Sequence, residues 1–396
     1  MRAAIKGIIV TAAFIGPGTI TTASLVGAQL GYQLIWALVF AIFATCILQE
    51  MASRLGNVTG LGLSEAILSQ YTSRAWKILA TVLICTAIGI GNAAYEGGNL
   101  TGAALGLGAS FGGNISHWAL ALGSLAALLI LSNRYQLVEK VLVALVALMS
   151  LVFISLMWVA GINPDHLISG IRAEFGLFSN YALLLAIVGT TIVPYNLFLH
   201  AGMSARDKKD TASSHSTQTN LALFTSIGLG GLVTFAVMSS AASAFFASAV
   251  VMDKNNIATQ LEPLLGDYAM WFFALGLFAA GLTSAITAPL AASFAISGLF
   301  DWRADLSDWR FKAVSLGIIA CGVFVSVLGL NPFMLIIVAQ GANALLLPIS
   351  AVLLLIVCNN AHAMKAEKNS LLQNALGAMV IMVVLVLASY KLWSLI

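Results

Sequence analysis

The stretch Gly16-Pro17-Gly18-Thr19-Ile20-Thr21-Thr22-Ala23-Ser24 lies inside the first apolar run of the chain. A helix in hydrocarbon must satisfy its own backbone, because lipid offers no hydrogen-bond partners. Here a proline flanked by two glycines removes one N–H donor and four hydroxyl residues follow, with no charge among them. The pattern implies a helix interrupted at membrane depth, with backbone groups freed in the gap. A second stretch repeats it: Gly189-Thr190-Thr191-Ile192-Val193-Pro194-Tyr195-Asn196 places Pro194 in another apolar run.

The surrounding chain fits a membrane setting. Of 396 residues, 60% are hydrophobic and 8% charged, against roughly 25% charged in soluble domains. Eleven apolar stretches lie near 6–31, 33–53, 75–107, 115–132, 136–160, 180–203, 218–247, 268–299, 311–330, 332–358 and 370–394, each near the ~20 residues that span a bilayer. A transmembrane barrel would instead alternate apolar and polar residues. The expected fold is therefore an all-α integral membrane protein of about 11 helices in one domain, 1–396. Its first repeat runs from about 6 to 160, its second from about 180 to 358, and an extra helix from about 370 to 394. The two interruptions fall in spans 1 and 6, corresponding places in two five-span halves. An odd number of spans per half inverts the second half, and paired broken helices are the sequence mark of a secondary transporter's binding site.

Charge sets an orientation. With a cytoplasmic N-terminus, Arg2, Lys6, Arg54, Arg74, Lys77, Arg134, Lys140, Arg206, Lys208, Lys209, Arg303, Arg310, Lys312, Lys365 and Lys368 lie inside. Only Arg172, Lys254 and Lys391 lie outside. This positive-inside bias puts the C-terminus outside. Short loops suit a bacterial inner membrane. A net charge of +3 gives no reason to expect nucleic acid. Cys46, Cys85, Cys321 and Cys358 lie in apolar spans without CxxC spacing and read as small hydrophobes. No HExxH pair, nucleophile elbow or GxxxxGK[ST] loop points to an enzyme or an ATPase. No repeated filter ring points to a channel. The implied partners are a small inorganic ion and the lipid bilayer; no oligomeric state is specified.

At the two interruptions the chain resembles the Nramp family of proton-coupled divalent metal transporters. That family carries Asp-Pro-Gly-Asn in helix 1 and Met-Pro-His-Asn in helix 6. The likeness continues through "ASRLGNVTGLGLSEAI", "LVEKVLVALVALM", "EPLLGDYAMWFFALGLFAAGLTSAIT" and "LIIVAQGANALLLPI". It implies an inverted 5+5 repeat, LeuT/Nramp-like, with broken helices 1 and 6. The departures fall on the family's ligands. Gly16 stands at the metal-ligating Asp, Thr19 at the Asn, Val193 at the Met and Tyr195 at the His, while Pro17, Gly18, Pro194 and Asn196 match. "AAYE" resembles the family's Asp-Leu-Ala-Glu in span 3, keeping the acid only at Glu96, and His200 matches a family His used for protons.

The residues themselves then favour a different ion. Soft dications select sulfur or imidazole, and hard ones usually take a carboxylate; the breaks contain none of these groups. Helix N-termini, by contrast, suit anions. The expectation is a secondary transporter of a small anion, with bicarbonate as the specific reading, held by Gly16, Gly18, Thr19, Thr190, Tyr195 and Asn196. Sodium is the expected coupling ion and the sole bound ion beyond substrate, at Thr283, Ser284 and Thr287 in span 8. Glu96, His200 and Gln340 form a candidate proton or gating path. Glu139 and Lys140 read as a structural or gating ion pair. The alternative is a divalent cation transporter for Mg²⁺ or Mn²⁺, proton-coupled, with a relaxed oxygen-ligand site. It requires Glu96 to reach the cavity.

Overall fold

A computed structural model describes residues 15–132, 135–162, 164–172, 180–210 and 216–393. Arg2, Lys6 and Arg134 lie outside the described residues, as do the side chains of Glu139, Arg172, Lys208, Lys209 and Lys391. We name the helices α1 (Pro17–Leu30), α2 (Ile35–Thr59), α3 (Arg74–Phe111), α4 (Ile115–Leu131) and α5 (Tyr135–Ala160). The second half holds α6a (Tyr181–Thr191), α6b (Pro194–Asp210), α7 (Ser216–Ala241), α8 (Ala269–Phe300), α9 (Trp309–Val327) and α10 (Pro332–Asn359). The last is α11 (Leu371–Trp393). Among the described residues eight helices are long and apolar enough to cross a membrane, and no strand occurs.

Burial separates centre from rim. The most apolar window of the span containing α6a and α6b is 83% buried, and that of α8 72%. The windows of α9 and α11 are 33% buried, as expected of helices that face lipid. The centre is built for close approach. A Cβ at Gly27 in α1 would meet backbone of α7 at Met238 and of the π-helical turn after it at Ala242, and one at Gly56 in α2 would meet backbone of α6b at Ala201 and Ala205. Small residues at such crossings replace the hydrophobic drive that lipid removes.

Both prolines begin a helix; the residues before Ile15, which would form the other side of the first break, lie outside the described residues. Pro17 opens α1 behind an extended Gly16, where its missing N–H costs nothing. α6a ends at Thr191, Ile192 leaves helical geometry, and Pro194 restarts the helix as α6b. α3 holds a π-helical turn at Cys85–Ile90, immediately before the residues that face the breaks. Such turns re-aim the side chains that follow them. The cysteines are all free; Cys358 is buried and Cys321 is exposed on α9.

Candidate functional site

The start of α1 meets the break in span 6. Thr19 Oγ1 on α1 lies 2.9 Å from Thr190 Oγ1 at the end of α6a, and both residues are buried. The sequence implied one site at the two interruptions, and the start of α1 and the end of α6a do lie side by side. Into the same place α10 brings Gln340. A Cβ at Gly18 would overlap the Gln340 side-chain amide, and one at Gly189 would overlap the Gln340 main-chain carbonyl. Gln340 is fully buried, yet its Oε1 and Nε2 have no hydrogen-bond partner, and neither does Asn196 Nδ2 just past the second break. Buried polar atoms are rarely left so. The unpartnered Gln340 amide thus lies beside the Thr19–Thr190 hydroxyl pair, as expected of a site for a small polar ligand.

Below them the gap is closed by aromatic rings. Tyr95 of α3 and Tyr195 of α6b, 3% and 2% exposed, meet at a centroid distance of 5.7 Å. A Cβ at Gly16 would lie 3.0 Å from Ser284 Oγ and 3.5 Å from Tyr95 Oη. Tyr95 was not singled out from sequence, where its acidic neighbour drew the attention. The available signal was a polar-tipped aromatic three residues after Asn92, on one helical face.

The other expected residues divide. Thr283 Oγ1 donates to Ala279 O at 2.7 Å, and Thr287 Oγ1 donates to Thr283 O. Both hydroxyl hydrogens are used within α8, leaving Ser284 as the span 8 hydroxyl beside Gly16. Thr191 likewise donates to Ile187 O. Thr21 and Thr22 are buried without partners. Glu96 is buried but turns towards α9, where a Cβ at Gly322 would meet its side chain; Asn99 Nδ2 donates to Glu96 Oε2 at 3.2 Å. Adjacent residues on a helix point about 100° apart, so Tyr95 faces the breaks and Glu96 does not; the carboxylate that the dication alternative was expected to need is not supplied by Glu96, and a dication here must rely on neutral oxygens. His200 Nδ1 lies 2.7 Å from Gln49 Oε1 of α2, which places the ring hydrogen on Nδ1. Among the described residues no group of three or more His, Cys, Asp or Glu is placed to hold a metal ion.

The electrostatics of the gap have two signs. The N-termini of α1 and α6b bring N–H groups to it, and the C-terminus of α6a brings carbonyls. Each end carries about half a unit charge, positive at the former and negative at the latter. Unwound carbonyls and half-helix C-termini hold cations in transporters of this architecture.

A buried polar gap between the start of α1 and the break in span 6 is the kind of site that transporters build at interrupted helices. The family model described as natural resistance-associated macrophage protein-like matches residues 7–394, and the chain belongs to that family, Nramp. It is a transporter and not an enzyme. A curated relative from Verminephrobacter eiseniae, named divalent metal cation transporter MntH, is 26% identical over 91% of this chain and 82% of its own. The protein of the same name from Yersinia enterocolitica is 26% identical over 97% of this chain and 92% of its own. A crystal structure of the Eremococcus coleocola manganese transporter, bound to an aromatic bis-isothiourea compound, superposes with a TM-score of 0.75. It is 22% identical over 98% of this chain and 85% of that one, a likeness of fold.

These findings overturn the anion reading. Relatives that match nearly the whole chain are named for divalent metal cations, so bicarbonate as substrate and sodium symport are both corrected. The physical reason is an incomplete charge count. The anion reading took the absence of a carboxylate at the breaks as decisive against a dication, over the oxygen that free carbonyls and retained water supply, and gave no weight to the negative end of the α6a dipole.

Proposed function

We propose that this chain carries a divalent cation across the membrane at a neutral-oxygen site between α1 and α6a, taking the ion with part of its water shell. The observation that carries the reading is the juxtaposition of the Thr19–Thr190 pair and the unpartnered Gln340 amide beside the carbonyl end of α6a. The relatives' printed substrate class supports it. Stripping a dication bare in a medium without a counter-charge costs tens of kcal/mol. Mg²⁺ avoids that cost because it dehydrates reluctantly and usually keeps several waters. Mg²⁺ is therefore the preferred ion, with Mn²⁺ second, and weak binding is expected because no carboxylate contributes.

In this reading Gly16 and Gly18 let the backbone approach the ion, and Thr19, Thr190, Asn196, Gln340 and Tyr195 supply oxygen atoms directly or through water. Ser284 lines the site from α8, and Thr283 and Thr287 serve helix geometry. His200 is the group available to exchange protons in coupling. The two repeats, 6–160 and 180–358, rock against one another around the gap. The protein lies in the plasma membrane with its N-terminus cytoplasmic and its C-terminus outside.

Thermal unfolding of the purified protein in detergent, with increasing Mg²⁺, Mn²⁺ or Na⁺, tests this reading. Stabilisation by Mg²⁺ and Mn²⁺ but not Na⁺, lost in Thr19→Ala and Gln340→Ala, is expected. Equal stabilisation of wild type and both variants would place the ion elsewhere and refute the assignment.

A further inference from the structure

We propose that Tyr95 is the specificity-determining residue of the ion site, acting in the space left beside Gly16. The proposal rests on the dication reading above. Two hydroxyls from separate helices, Tyr95 Oη of α3 and Ser284 Oγ of α8, converge where a side chain at position 16 would begin, 3.5 Å and 3.0 Å from an ideal Cβ. A Cβ alone fits there tightly. A longer side chain at position 16 needs Tyr95 to give way.

Tyr95 is held so that it does not. Its ring rests against Tyr195 at 5.7 Å with an interplanar angle of 58°, which fixes it from the α6b side. One turn earlier, Asn92 Nδ2 donates to Ala288 O at 2.9 Å and ties α3 to α8. A long rigid aromatic with two side-chain torsions is thus wedged between α6b and the break, with its polar tip beside the gap.

The chemistry of that tip decides which ions are accepted. A phenol hydroxyl and a serine hydroxyl offer neutral oxygens that accept hydrogen bonds from water. They carry no charge with which to replace a lost hydration shell. An ion that keeps its water gains hydrogen bonds from such a wall, while an ion that must shed water gains little. The wall therefore ranks dications by how firmly they hold water, Mg²⁺ ahead of Mn²⁺. It also keeps position 16 small, so no anionic side chain can enter there and change the ranking.

The test uses full-length protein in proteoliposomes, with Mg²⁺ and Mn²⁺ uptake measured singly and in competition, and with thermal stabilisation by each ion as a second readout. Tyr95→Phe keeps the ring and its contact with Tyr195 and removes the hydroxyl. The loss of one hydrogen bond to a charged hydrate is about tenfold in relative Mg²⁺ affinity, with Mn²⁺ little changed. Gly16→Asp alone is expected to lower stability and abolish uptake of both ions through crowding. Adding Tyr95→Ala should restore folding and reverse the preference in favour of Mn²⁺, because a carboxylate then has room beside the ion.

Tyr95→Phe with a Mg²⁺ to Mn²⁺ ratio within twofold of wild type would overturn the proposal, and so would a well-folded, active Gly16→Asp in the presence of Tyr95. The failures are separable. If wild type carries both ions and Tyr95→Phe leaves selectivity unaltered, the Tyr95 assignment alone falls. If wild type neither binds nor carries either ion, the dication reading falls and the proposal with it.

Discussion

Two glycines touch the same residue of α10 in different ways, and the difference predicts opposite outcomes for one added methyl group. At Gly189 an ideal Cβ would lie 2.9 Å from the Gln340 carbonyl carbon and 3.0 Å from Ala344 N, both main-chain atoms. Carbon atoms pack best at about 3.5–4.0 Å, so α6a and α10 must part by roughly half an ångström or more along the contact. No side chain can rotate to relieve it, and overpacking of this kind costs about 1–3 kcal/mol. At Gly18 the Cβ would meet the end of the Gln340 side chain, 2.7 Å from its amide carbon. That amide swings aside at little cost, because it has no hydrogen-bond partner to lose. Gly189→Ala should therefore lower the melting temperature by several degrees, at about 2 °C per kcal/mol for a large chain. Gly18→Ala should melt within about 2 °C of wild type yet lose most of its stabilisation by Mg²⁺. The eight tryptophans supply the fluorescence signal. A Gly189→Ala protein as stable as wild type, or a Gly18→Ala protein that keeps its full response to Mg²⁺, would refute this reasoning.

Further outcomes follow from single contacts. The Thr19–Thr190 pair couples α1 to α6a; in a cycle of Thr19→Val, Thr190→Val and the double variant, the coupling should fall near the ~0.6–1.7 kcal/mol measured for hydrogen bonds between membrane helices. Zero coupling in unfolding measurements would mean the breaks do not meet. Glu96→Gln should leave Mg²⁺ affinity within about twofold, since Glu96 faces α9; a larger loss would place the carboxylate at the site. Arg206 stacks over the Phe294 ring at 4.6 Å and donates to Ala304 O, tying α6b to the end of α8 and the loop after it. Arg206→Ala forfeits about 0.5–1 kcal/mol of cation–π contact, and should make a cysteine reporter at the C-terminal end of α6b more reactive. Asp305 in that loop is held below the usual carboxylate range, chiefly by hydrogen bonds from the Ser307 hydroxyl and N–H, with Arg303 and Arg206 adding to them. A lowered value means its contribution is present above the ordinary carboxylate pKa and lost only as pH falls through the lowered one. Asp305→Asn should therefore leave any pH dependence of uptake between 5 and 7 unaltered.

The fold was legible because its signals are local. Pro17 and Pro194, each within a long apolar run, announce two broken helices without any knowledge of contacts, and their matching places announce the repeat. The site was legible only in part. Gly18, Thr19, Thr190 and Asn196 sit at the start of α1 and at the break in span 6, where the prolines alone place them. Gln340 was named, but only as a path residue, since nothing in α10 says that its amide overlies Gly18. Tyr95 and Glu96 are neighbours in sequence, and the rotation that aims one at the gap and the other at α9 follows the π-helical turn at Cys85–Ile90, a packing outcome. The span 8 hydroxyls illustrate a second limit. Thr283 and Thr287 bond to their own helix, a choice side-chain type leaves open. The sign of the substrate was missed because the absence of a carboxylate at the breaks was given more weight than the oxygen that backbone carbonyls and retained water supply.

Flux through the purified protein tests the central claim most directly. Proteoliposomes would be given Mg²⁺, Mn²⁺ or ¹⁴C-bicarbonate, with and without a sodium gradient, at equal membrane potential. The account predicts Mg²⁺ and Mn²⁺ uptake that saturates, is indifferent to sodium and is lost in Thr19→Ala. Bicarbonate accumulation without movement of either metal would contradict it.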